Sequence, residues 1–330
     1  MSAFIDMKRA SFGVQPICET LGVSASAFYH RASGAKSARV LEDERVLALI
    51  RVIYAENYEA YGYRRVWKEA RRRGHTGVPR CQVQRLMAEH DIRGAKRRGK
   101  PWRTTVADPA AAERPDLVNR DFPASRPGEL FVADFTYVRC WQGTVFFAFV
   151  LDVYSRRIVG WQFADHMRAP LVVDALQMAL AKRERVDRVE LVHHSDRGSQ
   201  YTSSDLAAVL AEHDVLASVG STGDAYDNAM AESFVDTFKT ELIADRLWRT
   251  KGQLELAIVR WVGWYNHVRL HGELDDVPPI EFEAARQASK TLDPAGLEVL
   301  DSNDHHDSSL RGLSAIQAPP GITTTITQPN

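Results

Sequence analysis

Leu130-Phe131-Val132-Ala133-Asp134-Phe135-Thr136-Tyr137-Val138 is the stretch that decides the fold. Its β-branched and aromatic residues suit an extended chain, and one aspartate stands in the middle of them. Thr144 to Val153 is a second, strongly apolar run, and Arg157-Ile158-Val159-Gly160-Trp161-Gln162-Phe163 is a third. Short polar segments, Trp141-Gln142-Gly143-Thr144 and Tyr154-Ser155-Arg156, separate the three. That spacing predicts an antiparallel meander.

Beyond the meander the pattern alternates. Helical periodicity covers about 169–182, the strand Val189-Glu190-Leu191-Val192-His193-His194 follows, and a helix covers about 202–213. A short strand at 215–219 and a long helix at about 228–243 complete the unit. Three antiparallel strands followed by alternating helices and strands predict an α/β fold, a mixed sheet flanked by helices in the ribonuclease-H-like order.

Three carboxylates fall where such a sheet gathers side chains. Asp134 is a charge inside an apolar strand, costly unless paired or bound to a metal. Asp196 directly follows the fourth strand, and strand C-termini are where sites form in open sheets with parallel neighbours. Glu232 lies on the long helix, with 35 residues between it and Asp196. On that helix Phe234, Val235, Phe238 and Leu242 mark the buried face. Asn228, Glu232, Asp236 and Lys239 form a separate polar ridge, so Lys239 can reach a phosphate beside Glu232. Phosphodiester cleavage and strand transfer place charge on attacking and leaving oxygens, and carboxylates holding two Mg²⁺ ions can clamp both. Asp152 ends the second strand and fits a turn-capping role as well as a place near the site. Asp224 and Asp227 read as helix caps. His193 and His194 point to opposite sheet faces, so one, assigned here as His194, can support the site from behind together with Asn228.

The first part of the chain reads as an all-helical region. Gln15-Pro16 to Leu21, then Gly22-Val23, then Ser24 to Arg31 has a helix-turn-helix layout, though a simple helical hairpin fits the same residues. A helix at about 41–56 leads to Tyr61-Gly62-Tyr63-Arg64-Arg65-Val66-Trp67. The turn after Gly74 and the helix opened by Pro79 resemble a second helix-turn-helix, with Arg80, Gln82 and Arg85 on its free side. Residues 93–103 hold Arg93, Lys96, Arg97, Arg98, Lys100 and Arg103 with Trp102 among them and no acid.

Charge follows the same division. The net charge is −1, yet residues 1–110 hold 21 Lys and Arg against 11 Asp and Glu; with 42 and 43 in all, the remainder holds 21 against 32. A basic front third points to a polyanion, and Arg64, Arg65, Arg80, Arg85, Lys96, Arg97, Arg98, Lys100 and Arg103 are its candidate phosphate contacts. The organisation read from these patterns is a helical DNA-binding region at 1–103 and a linker at 104–128. A catalytic core with C-terminal helices at 129–286 and a polar tail at 287–330, expected to be disordered, follow. No run approaches the ~20 apolar residues of a membrane helix, and no signal-peptide segment opens the chain, which predicts a cytosolic protein. Three scattered cysteines argue against a disulfide framework and a CxxC metal site and read as small buried hydrophobes.

Val132 to Tyr137, His193 to Tyr201 and Tyr226 to Phe234 together resemble the three catalytic blocks of bacterial insertion-sequence DDE transposases, whose core is retroviral-integrase-like. The similarity is to the OrfB-type product of the group encoded in two overlapping frames. Trp264-Tyr265-Asn266-His267-Val268-Arg269-Leu270-His271 with Pro278-Pro279 resembles that group's C-terminal signature, and Tyr61 to Arg65 its N-terminal helical module. The likeness spans about residues 12–285. It implies strand cleavage at element ends and strand transfer into target DNA, with Asp134, Asp196 and Glu232 holding two Mg²⁺ ions, Mn²⁺ being able to substitute.

The resemblance further implies double-stranded DNA as partner (element ends and target), the upstream-frame OrfA product as fusion or partner, a homo-oligomer on DNA, and a nucleoid-associated place in the cytoplasm. Three departures stand out. The chain continues well past the Pro-Pro signature, has no sustained heptad, and lacks the zinc-binding module of retroviral integrases. A nuclease that only hydrolyses, and a DNA-binding regulator with an inert core, are the competing readings. The basic helical region weighs against the first, and the three intact carboxylates against the second.

Overall fold

Leu130, Val132 and Val138 turn to one face of strand β1 (Leu130–Cys140) and Phe131 and Ala133 to the other, the alternation that a strand buried on both sides requires. In the computed structural model, which describes residues 1–34, 36–96, 124–182, 190–219, 229–244 and 246–291, β1 is central. With β2 (Gly143–Asp152), β3 (Ile158–Ala164), β4 (Leu191–Ser195) and β5 (Val215–Val219) it forms one five-stranded sheet ordered β3-β2-β1-β4-β5. The pairs β1–β2 and β2–β3 are antiparallel, whereas β1–β4 and β4–β5 are parallel. The mixed sheet flanked by helices is therefore the architecture expected, with β4 starting at Leu191 rather than at 189.

Helices cover both faces. α7 (Ala169–Lys182) and α8 (Ser204–Glu212) pack on the Phe131 side, where Ala148, Val150, Leu171, Ala175, Leu176 and Leu206 are buried. Gly160 of β3 allows close approach there, since a Cβ at 160 would stand 2.0 Å from the Ala175 carbonyl oxygen and 2.9 Å from the Ala179 Cβ. On the opposite face lie α9 (Ala229–Phe238) and α10 (Lys251–His267). Phe234 meets Phe149 with ring centroids 4.2 Å apart, Phe238 stacks on Phe147 at 4.9 Å, and Trp261 closes edge-on to Phe238 at 5.2 Å. Asn266 stitches α10 to β3: the Ile158 N–H donates to its Oδ1 (2.9 Å) and its Nδ2 donates to the Ile158 carbonyl (3.0 Å). The single long helix read over 228–243 is instead α9 followed by a π-helical turn, Lys239–Ile243.

The front of the chain is helical as expected, in two packing groups. α1 (Ser2–Phe12), α2 (Val14–Thr20) and α3 (Ala25–Ala32) close a small cluster of Ile5, Val14, Ile17, Cys18 and Phe28. Between α2 and α3, Gly22 adopts φ 63° in the turn that the layout predicts, and the Ser24 hydroxyl caps α3 by accepting from the Ala27 N–H (3.3 Å). α4 (Ala38–Glu56), α5 (Tyr63–Arg72) and α6 (Arg80–Glu89) behave differently. Val46, Ile50, Ile53, Val66, Val83 and Leu86 belong to the same core as the α9–α10 face of the sheet. Buried hydrogen bonds cross this junction: Trp264 Nε1 donates to Asn57 Oδ1 (3.1 Å), and the Leu270 N–H donates to the Tyr61 hydroxyl (2.8 Å). α11 (Pro279–Thr291) is the last described element. By compactness Met1–Ala288 form one unit and Ser289–Asn330 another. The expected linker at 104–128, apart from its last residues, and all of the expected tail past 291 lie outside the described residues. Among the cysteines Cys18 is buried as a small hydrophobe should be, but Cys81 is exposed, because α6 turns Val83, Leu86 and Met87 inward and leaves Cys81 on its outer face.

Candidate active site

The parallel junction sets the geometry of the site. Val132 pairs with His194, and the aspartates follow each by two residues, Asp134 on β1 and Asp196 just past the end of β4. Because side chains alternate along a strand, Asp134 shares the face of Leu130, Val132 and Val138, the face covered by α9. α9 carries Glu232, which is exposed while its neighbours Ala231 and Phe234 are buried. Fold and helix phase thus direct all three carboxylates to one side of the sheet.

Backbone amides orient both aspartates. The Phe135 N–H donates to Oδ1 of Asp134 (2.7 Å), and the Gly198 N–H donates to Oδ1 of Asp196 (3.0 Å). Glycine at 198 keeps this contact open, since a Cβ there would stand 3.0 Å from the same carboxylate oxygen. The Asp134 carboxyl is pushed well above the ordinary aspartate range, first by burial and then by the charge of Asp196, with Glu232 adding to the push and the Phe135 N–H and Lys239 opposing it. Partial burial, then Asp236, raises Glu232. Lys239 is lowered by burial against the pull of Asp236 and Asp134, and its Nζ sits 5.5 Å from the centre of the Tyr137 ring. Lys239 thus feels the charge of Asp134 and opens the turn that continues the helix of Glu232.

Among the described residues no three His, Cys, Asp or Glu side chains already enclose a common point. The chemistry of the set nevertheless fits a divalent cation. It consists of hard carboxylate oxygens whose repulsion raises the pKa of the half-buried Asp134.

Other candidates resolve by their contacts. Asp152 caps a turn: its carboxylate accepts from the Gly128 N–H (2.6 Å), the Ser155 N–H (2.9 Å) and the Ser155 hydroxyl (3.0 Å). His193 and His194 are both buried on opposite faces. His194 lies on the side of the aspartates, with Nδ1 2.9 Å from the Ser218 hydroxyl of β5, while His193 faces the Tyr201 ring at 6.2 Å. The sequence reading did not single out Tyr201. It is buried, and its hydroxyl is held well above the usual range by burial and then by Asp134 and Asp196. A tyrosine two residues after Ser199 in a turn carries no sequence mark of that placement.

The expected phosphate contacts divide. Arg64, Arg80 and Lys96 are exposed. Arg65 and Arg85 are half-buried against the protein's own carboxylates: Arg65 lies 3.5 Å from Glu241, and Arg85 pairs with Asp43 (2.7 Å) and Glu89 (3.0 Å). Arg97, Arg98, Lys100, Arg103 and Asn228 lie outside the described residues.

Known proteins match along most of this length. The Integrase core domain family matches residues 124–225, a second Integrase core domain family matches 213–279, and the HTH-like domain family matches 41–100. The chain is 44% identical over 294 residues to the transposase for insertion sequence element IS629 of Shigella sonnei, covering 88% of this chain and 97% of that one. It is 44% identical over 278 residues to the putative transposase for IS986/IS6110 of Mycobacterium tuberculosis, covering 83% and 99%. It is 31% identical over 287 residues to transposase InsF for IS3A of Escherichia coli, covering 85% and 97%.

Proposed function

The chain belongs to the family of insertion-sequence transposases with an integrase core domain, and on that premise we propose that it cleaves element ends and joins them to target DNA by in-line phosphoryl transfer. The reaction centre in this reading is Asp134, Asp196 and Glu232, which would hold two Mg²⁺ ions. Bound there, the ions supply Lewis-acid stabilisation of the attacking and leaving oxygens. The protein's own residues do the positioning. The N–H groups of Phe135 and Gly198 fix the carboxylates of Asp134 and Asp196 before substrate arrives. Lys239, within electrostatic reach of Asp134, takes a phosphate oxygen flanking the scissile bond. His194, held by Ser218, stiffens the end of β4 from which Asp196 projects. The exposed Arg64, Arg80 and Lys96, with the basic run at 97–103 and the helical region at 1–103, contact the duplex of the element end.

The observation that carries this reading is the matched placement of Asp134 and Asp196, each two residues beyond a register pair of adjacent parallel strands, beneath the helix of Glu232. Synapsis of two ends requires at least a dimer on DNA, and the upstream-frame product would join it as fusion or partner. The work is done in the nucleoid. Among the described residues no helix is long and apolar enough to cross a membrane.

The test incubates the full chain with an element-end duplex and a supercoiled plasmid, in Mg²⁺ or with chelator. End-to-plasmid joining in Mg²⁺ alone is expected. Cutting without joining would favour a hydrolytic nuclease, and binding with neither would favour a DNA-binding regulator.

A further inference from the structure

Two sequence motifs, Tyr61 to Arg65 (of which only Arg64 contacts DNA in the proposed function) and Trp264 to His271, meet around one buried carboxylate. Glu241 lies in the π-helical turn that continues α9, two residues after Lys239, and is 7% exposed. Arg269 grips it with a fork, Nε at 2.9 Å from one oxygen and Nη2 at 2.8 Å from the other. Arg269 Nη1 stands 3.2 Å from the His271 ring, which burial and then the Arg269 charge keep neutral, with a pKa lowered to about 2. From α5, Arg65 approaches the same Glu241 to 3.5 Å and lies over the Tyr61 ring. Burial works against the Arg269 cation, and Glu241 more than offsets it.

A buried ion pair is weak evidence of stability, because desolvation consumes most of its attraction; its best-attested use is to fix a register. The register fixed here is that of the segment carrying Glu232 and Lys239. π-turns inside helices concentrate at functional positions, and this one begins at Lys239 itself. Arg65 makes the tie span from the HTH-like region to the helix of the reaction centre.

We infer that Glu241 is a positioning residue, and that Arg65 and Arg269 use it to lock the end of the α9 segment to α5, so that the DNA-binding helices and the seat of Glu232 and Lys239 move as one piece. The inference rests on the proposed reaction at Asp134, Asp196 and Glu232. It also reassigns Arg65 from a phosphate contact to an internal strut.

Arg65→Gln in the full chain separates the two roles, because it leaves the Arg269–Glu241 fork intact. Three quantities are read: the affinity for an end duplex with its salt dependence, the joining rate at saturating DNA, and hydrogen exchange of the backbone amides at 239–244. The strut predicts an unchanged salt slope, faster exchange at 239–244, and a joining rate at saturation lowered by about tenfold to a hundredfold, as misplacement of reacting groups by a fraction of an ångström to an ångström does. Arg65→Lys, which keeps the charge, should recover most of the rate. A salt slope smaller by about one, with full rate at saturating DNA and unchanged exchange, would make Arg65 a phosphate contact and overturn the inference. Unchanged values of all three would overturn it as well. If the unsubstituted chain joins nothing, the proposed reaction fails, and the exchange measurement alone still decides the strut.

Discussion

Val132 and His194 are direct partners across the parallel β1–β4 junction, and each is followed two residues later by an aspartate. The sheet therefore brings Asp134 and Asp196 to corresponding points on neighbouring strands, where the charge of Asp196 adds to the cost that burial places on ionising Asp134.

That cost has a measurable sign. The Asp134 pKa is raised in the folded chain, so the fold binds this proton more tightly than the unfolded chain does. The corresponding stability is present below the ordinary aspartate pKa and is lost as pH rises through the raised one. With metal chelated, Asp134→Asn should raise the melting temperature at neutral pH by on the order of 2 °C, and the gain should vanish in acid. Thermal melts from acid to neutral pH check this. A variant less stable at every pH would contradict it.

Gly160 marks a second constraint, in packing. A methyl group at 160 would run into the Ala175 carbonyl, so Gly160→Ala should destabilise by about 1–3 kcal/mol or more as β3 and α7 are forced apart. Gly263 offers the control, since it lies inside α10 with open space around its Cβ position. Gly263→Ala should stabilise by about 0.5–1 kcal/mol through helix propensity. Urea unfolding of both variants distinguishes a specific clash from a general intolerance of alanine.

The phosphate contacts proposed for the basic run at 97–103 are tested by the salt dependence of binding. Replacing both Arg97 and Arg98 with glutamine should reduce the slope of log affinity against log salt by about 1.8, from about 0.9 per phosphate contact on duplex DNA. Fluorescence anisotropy with an end duplex gives the slope directly; an unchanged slope removes the run from the interface.

What the sequence made legible follows from periodicity. β1 to β3 could be read because β-branched and aromatic runs are separated by short polar turns. Asp134 stood out as a charge among apolar neighbours, and Asp196 as a charge at a strand end. Glu232 followed from a helix whose phenylalanines, Phe234 and Phe238, face the other way. Long-range pairing was not legible. Nothing local tells that Arg65 meets Glu241, far along the chain, or that Tyr201 turns inward toward two aspartates. Glu241 looks like one more helical surface acid until α10 and α5 close over it, and the π-turn that places it has no composition signal. Arg85 reads as a free cation only while Asp43, 42 residues away, is out of view.

Glu232→Gln provides the most direct test of the proposed reaction centre, because it removes one charge at an exposed position and keeps the size of the side chain. End-duplex affinity and joining to plasmid are measured on the same preparation in Mg²⁺. Binding within about twofold of the unsubstituted chain, with joining reduced at least about a thousandfold, is the predicted result for loss of a group acting only at the reacting phosphate. Joining at an undiminished rate by the Glu232→Gln chain would contradict the account.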